Sequence, residues 1–117
     1  MIQNREVKKF KSKAKIDLVF RKGKTIKSGS LKLHYINKNV NFKNLELGVS
    51  VSKRFVVLAT RRNHIKRQIN GVIKRQKLEV FKLLPNGLYM ILYIGSLNDD
   101  SKSIWKDLKG LLEHFTS

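Results

Sequence analysis

Leu47-Gly48-Val49-Ser50-Val51-Ser52-Lys53-Arg54, followed six residues later by Arg61-Arg62-Asn63-His64-Ile65-Lys66-Arg67, is the stretch from which the architecture unfolds. Between Leu45 and Lys53, the residues Leu47, Val49 and Val51 alternate with Gly48, Ser50 and Ser52. That two-residue period predicts a strand with one apolar face and one unusually small face. The period then becomes helical. Thr60 is a suitable N-cap, and Ile65, Ile69, Val72, Ile73 and Val80 fall in a single arc at 3.6 residues per turn. Asn63, Lys66, Arg67, Asn70, Lys74 and Lys77 fall on the opposite arc, so core and ligand faces separate. Gly71 costs such a helix about 1 kcal/mol relative to Ala. Pro85-Asn86-Gly87 ends the segment with turn chemistry.

Working outward, Leu88 to Ile94 is an apolar run bounded by turn residues, which predicts a buried strand. Asp99, Asp100 or Ser101 can each cap a final helix carrying Ile104, Trp105, Leu108, Leu111, Leu112 and Phe115. Upstream, Ser12 can cap a short first helix with Ile16, Val19 and Phe20 on one side and Gly23 at its end. Between Thr25 and Lys38, Leu31, Leu33 and Tyr35 alternate with Lys32 and His34. This predicts a half-buried strand, expected to pair with Leu45–Lys53 through a hairpin loop at Asn37 to Asn44. The order is helix, two or three strands, helix, strand, helix, with helices packed on a small sheet. A chain of 117 residues with no internal repeat and no dividing linker makes one domain, residues 1–117.

Charge narrows the function. Lys and Arg number 26 against 8 Asp and Glu, a formal +18, with an isoelectric point near 10.5. Such an excess repels itself in a compact domain unless a polyanion neutralises it, so nucleic acid is the leading partner. An anionic membrane is the competing one, but the chain shows neither a long amphipathic helix with a bulky free apolar face nor a lipidation signal. No apolar run reaches the length needed to span a bilayer, and the N-terminal residues lack the apolar core of a secretory signal. With no cysteine present, disulfides and thiolate metal sites are excluded, and a cytoplasmic location is expected.

Self-contained catalysis finds little support. His34, His64 and His114 fall in three different elements, and no Gly-rich phosphate loop or HExxH pattern occurs. Asp99 and Asp100 could pair on Mg²⁺, but adjacent acids before a helix are far more often capping groups. No catalytic residue and no protein-bound metal or cofactor is assigned. Binding chemistry is concentrated instead: Lys53, Arg54, Arg61, Arg62, Lys66 and Arg67 place six cations within fifteen residues. A helix N-terminus adds partial positive charge and free N–H groups, drawing phosphates by side chain and backbone together. The competing reading is a merely solvated basic face. Asn63 can read a base edge or a 2′-hydroxyl, while Phe20 and His34 are candidates for stacking on unpaired bases. Taken alone, Phe20 reads as core, because it continues the Ile16 and Val19 stripe, and His34 as the better-exposed of the two.

In sum these residues resemble the bacterial ribonuclease P protein component. That family carries a Gly-x-x-Val-Ser-Lys-Lys strand before an Arg-Asn-Arg-x-Lys-Arg helix, matched here by Gly48 to Arg54 and Arg62 to Arg67. Lys9-Phe10, Val19-Phe20-x-x-Gly23, the strand around Leu31 and Leu33, the late strand and the final helix follow in family order. The resemblance implies an α+β fold in which a small mixed sheet of about four strands packs with three helices, in the order α-β-β-β-α-β-α. It also implies a left-handed βαβ crossover like that in the second domain of a small-subunit ribosomal protein, against the general right-handed preference.

Functionally, the resemblance implies the protein subunit of a ribonucleoprotein that removes 5′ leaders from precursor tRNA, with hydrolysis performed by the catalytic RNA and its Mg²⁺. Residue by residue, it assigns RNA-subunit contacts to Lys53, Arg54, Arg61 or Arg62, Asn63, His64, Lys66, Arg67 and Lys74. It assigns the leader cleft to Ile16, Phe20 and His34 over a floor of Ser50 and Ser52, in a monomer bound one-to-one to the RNA. His64 stands where the family has its second Arg, Ile16 where it has an aromatic, and Asn70-Gly71 where Arg-Glu is common. The loop Phe55 to Thr60 is one residue longer than usual, which leaves Arg61 and Arg62 both open as the first Arg of the motif. The alternatives are a ribosomal or ribosome-assembly RNA binder without a nuclease role, and a free-standing nuclease built on Asp99 or Asp100.

Overall fold

The computed structural model describes residues 7–9, 13–37, 44–95 and 100–115. Five strands, β1 (Val7–Lys9), β2 (Lys24–Ser28), β3 (Leu31–Ile36), β4 (Leu45–Val51) and β5 (Gly87–Tyr93), form one sheet in the order β1-β4-β5-β3-β2. β4 runs parallel to both β1 and β5, while β3 is antiparallel to both β5 and β2. The helices are α1 (Lys13–Lys22), α2 (Ala59–Arg75), α3 (Lys77–Leu83) and α4 (Ser101–Glu113). The expected order α-β-β-β-α-β-α is present, with β1 added before it and α3 added after α2. Among the described residues the short β1 thus makes a fifth strand beside the four expected, and α3 a fourth helix beside the three expected. Among the described residues no helix is long and apolar enough to cross a membrane.

Side-chain alternation builds two unequal layers. Leu31, Leu33 and Tyr35 of β3, Leu45, Leu47, Val49 and Val51 of β4, and Tyr89, Ile91 and Tyr93 of β5 share the main core. Into it α2 sends Ile65, Ile69, Val72 and Ile73, and α4 sends Ile104, Leu108, Leu111 and Leu112. The opposite face has a smaller cluster, Val19 of α1 against Leu88 and Met90, with Ile16, Leu18 and Ile36 packed around it. β5 is covered on both faces, which explains its almost unbroken apolar run.

The same property overturns the expected hairpin. β3 does not pair with β4; β5 lies between them, so the link after Asn37 joins two strands that are not neighbours. A strand apolar on both faces gains most in the centre, where both faces are covered, while β3 and β4 each need only one buried face. The actual hairpin joins β2 to β3 through Gly29 and Ser30. Gly29 has φ 56°, and the Ser30 N–H donates to Asp107 Oδ2 at 3.0 Å, tying the turn to α4. The chain from β4 through α2 and α3 to β5 joins parallel neighbours, so a βαβ crossover is present.

Helix boundaries also shift. Leu58, in extended conformation and without a side-chain cap, occupies the N-cap of α2, and Thr60 lies within the first turn. The long helix expected to reach Val80 breaks at Gln76 (φ −105°, ψ 27°). That break lets Val80 of α3 and the following Leu84 turn into the core against Leu108 and Leu111. Of the capping candidates before α4, Asp100 serves: its Oδ1 accepts from the Ser103 N–H at 2.8 Å. Ser12, Asp99 and the loop residues 38–43 lie outside the described residues.

Candidate nucleic-acid interface

Two elements on opposite sides of the sheet meet around its β4 edge to form a cleft of about 360 Å³. β1 pairs with β4 only at Leu45 to Leu47, so the rest of that edge is not hydrogen-bonded to a further strand among the described residues. Ile16 and Phe20 of α1 make one wall, Gly48, Ser50 and Met90 contribute to the floor, and Lys66 and Asn70 of α2 make the other wall. The small residues of β4 keep the floor low, and the four-residue spacing of Lys66 and Asn70 puts both on one flank of their helix. Lys15 Nζ to Glu46 Oε2, 2.8 Å, ties α1 to β4 beside the cleft.

Phe20 is 42% exposed, far more than a core aromatic, so its ring is available at the cleft. Behind it stands His34, ring centroids 4.5 Å apart and planes tilted by 60°. Thr25 Oγ1 and His34 Nδ1 are hydrogen-bonded at 3.1 Å. Burial, and then the charge of Lys32, hold the His34 pKa below its usual value, so at neutral pH it presents an uncharged ring. His34 does not itself line the cleft but supports the ring that does. Ser50 is brought to the floor, and Ser52 is not. Ser52 makes the turn beyond β4, its Oγ accepting from the Arg54 N–H at 3.2 Å and its carbonyl from the Val56 N–H at 2.9 Å.

The basic segment divides by geometry. Lys53, Arg54, Arg61, Asn63, His64, Lys66, Arg67 and Lys74 are exposed. Arg62 is half-buried, and its Nη1 donates to the carbonyls of Val56 (2.9 Å) and Val57 (2.6 Å). It thereby shapes the β4–α2 loop, plugging Val56 into the core while Phe55, Val57 and Leu58 stay exposed. Arg61, one residue earlier, is the freely presented guanidinium of the pair. Lys66 faces the cleft, whereas Asn63, Arg67 and Lys74 point further round α2. No Asp or Glu occurs between Glu46 and Glu79, so this whole surface is uncompensated in sequence. The first turn of α2 has no acidic residue and no side-chain cap, which leaves its N–H groups and dipole for an anion.

Asn70 and Met90 were not among the expected cleft residues. Asn70 could have been found from its place one turn after Lys66; Met90 could not, because its approach depends on β5 lying beside β4. Among the described residues there is no group of three or more His, Cys, Asp or Glu placed to hold a metal ion. Asp100 is committed to its cap, and His114 Nε2 lies 3.3 Å from the Tyr35 hydroxyl.

Comparison with known proteins bears on this geometry. The family model described as ribonuclease P matches residues 5–116. The RNase P protein of Staphylococcus aureus superposes with a TM-score of 0.73 at 21% sequence identity, over 100% of this chain and 97% of that one. The RNase P protein of Thermotoga maritima does so with a TM-score of 0.67 at 22% identity, over 97% of this chain and 100% of that one. Such identities speak to the fold alone. No curated protein sequence matches the chain.

Proposed function

The chain belongs to the ribonuclease P protein family, the protein component of that ribonucleoprotein endonuclease, and from this premise we propose how its surfaces divide the work. The exposed outer flank of α2, with Asn63, His64, Arg67 and Lys74, together with Lys53, Arg54 and Arg61 at the strand end, binds the catalytic RNA. The cleft binds the single-stranded 5′ leader of precursor tRNA. Ile16 and Phe20 offer apolar and stacking contact there, Ser50 lets the strand lie close to the sheet, and Lys66 takes a phosphate. Arg62 positions the loop, and His34 backs the Phe20 ring.

The observation that carries this reading is the pairing of walls: an exposed aromatic ring on one side, a cation and an amide on the other, across a floor of small residues. A single strand offers both bases to stack and phosphates to neutralise, whereas a paired helix keeps its bases inside. The chemical step on this reading belongs to the RNA, whose Mg²⁺ activates water at the scissile phosphate. The protein, a monomer bound one-to-one, contributes substrate affinity and fixed cations that reduce the Mg²⁺ required.

Purified protein added to its cognate RNA subunit at low Mg²⁺ is expected to stimulate 5′ cleavage of a precursor tRNA and to tighten its binding. Cleavage no faster than with RNA alone would overturn the reading. The salt response is a second measure. Log K should fall linearly with log salt, with a slope set by the phosphates neutralised, and a flat response would remove the basic helix from the account.

A further inference from the structure

On the open part of the α1 face, strand register places Lys27 of β2 directly opposite Lys32 of β3. The row continues through Leu92 of β5 to Ser50 of β4, the residue already in the cleft floor. Residues directly opposite across antiparallel strands lie on one face with Cβ atoms about 4.5–5.5 Å apart, and like charges so placed repel. No carboxylate among the described residues relieves that repulsion. The one carboxylate that β2, β3, β4 and β5 place on this face, Glu46, holds Lys15 at the other end of β4. Asp17 of α1 is two residues before the buried Val19, hence on the side of the helix turned away from the sheet. Among the described residues neither Lys27 nor Lys32 has an ion-pair partner. The field of Lys32 is felt within the sheet, since it contributes to the depressed pKa of His34.

A pair of facing, uncompensated ammonium groups in line with a strand-binding cleft is suited to a shared anion. We propose that Lys27 and Lys32 form a second phosphate site that extends the leader track out of the cleft, across the sheet, to the free edge at β2. The proposal rests on the cleft reading above. Lys32 is two strand spacings, about 10 Å, from Ser50, too far for the phosphate held at the cleft and within reach of a later one. The cleft's α2 wall belongs to the helix that faces the catalytic RNA, so the track leads away from the scissile bond, toward leader nucleotides more distant from it. Leu92, half-exposed in the same row, gives the intervening nucleotide an apolar surface.

The experiment uses the reconstituted holoenzyme and precursor tRNAs with leaders of increasing length, comparing the unaltered protein with Lys27→Gln/Lys32→Gln. The loss of affinity in the variant is expected to grow with leader length, reaching roughly three- to tenfold with long leaders. The log K against log salt slope for the long leader should become shallower by about 0.7, the value for one phosphate on a single strand. An equal loss at every leader length would assign the pair to the catalytic RNA or the mature tRNA body and overturn the proposal, as would no loss at all. Phe20→Ala separates the two readings. If it abolishes leader dependence while the lysine variant does not, the cleft stands and the extension falls; if the unaltered holoenzyme ignores leader length, the cleft reading itself fails. The RNA-free variant should melt no lower than the unaltered protein, because relief of like-charge repulsion favours the fold; a lower melting temperature would contradict the uncompensated pair.

Discussion

On the face turned toward α2, α3 and α4, the inward positions of β3, β4 and β5 are all apolar and buried, whereas on the face turned toward α1 the same strands carry Lys32, His34, Gly48 and Ser50. The strands are shared; the cover is not. A five-stranded sheet is about 19 Å wide, and the single ten-residue helix α1 covers a stripe about 10 Å across. The three-helix face can therefore be dry and close-packed, while the described residues leave the one-helix face partly open. On the proposed reading stability is concentrated on the first face and recognition on the second, and substitutions should separate the two.

The largest effect is expected on the closed face. Ile69 is fully buried between α2 and the sheet, and Ile69→Ala should lower the unfolding free energy by about 2–5 kcal/mol, read from the denaturant midpoint of the RNA-free protein. Next comes the boundary between the faces. Arg62→Ala leaves the Val56 and Val57 carbonyls without their donor and should destabilise by about 1–3 kcal/mol. Arg61→Ala, at an exposed position, should stay within about 0.5 kcal/mol in stability yet weaken binding to the catalytic RNA and reduce the salt slope by about 1. Equal stability effects from the two Arg substitutions would erase the distinction.

On the open face, Phe20→Ala should cost leader binding about 1–3 kcal/mol, measured by precursor tRNA affinity with and without a leader, with little change in melting temperature. The smallest effect concerns His34. Burial and then Lys32 lower its folded pKa, so the folded state is favoured above the ordinary His pKa and loses that advantage as pH falls through the folded value. Lys32→Gln removes the second cause. The imidazole titration followed by NMR should shift upward toward the ordinary value, and acid destabilisation should be milder. An unchanged titration would show that burial alone sets it.

Much of this division was legible along the chain. The arc of Ile65, Ile69, Val72 and Ile73 against Asn63, Arg67 and Lys74 marked the two sides of α2, and the packing agrees. Gly48 and Ser50 marked the shallow floor, and Leu88 to Ile94 the buried strand. Other features carried no local signal. β2 holds one apolar residue in five, which suffices for an edge strand but resembles a loop in sequence. The insertion of β5 between β3 and β4 replaced a plausible hairpin, since nothing in Asn37 to Asn44 distinguishes a turn from a longer crossing. The cap at Leu58 follows no side-chain rule because no side chain performs it.

By itself, then, the sequence determined the periodicity of each element, the segregation of charge and the family motif. These follow from the covalent backbone, which brings residues two apart in a strand, or three and four apart in a helix, to the same side wherever the element is placed. Tertiary structure alone decided which strands are neighbours, that Lys66 and Asn70 of α2 look across β4 at Phe20 of α1, and that Arg62 serves the loop while Arg61 is presented to solvent. Those outcomes depend on contacts between residues far apart in the chain, chosen by which surfaces can be buried together, and no local spacing encodes that choice.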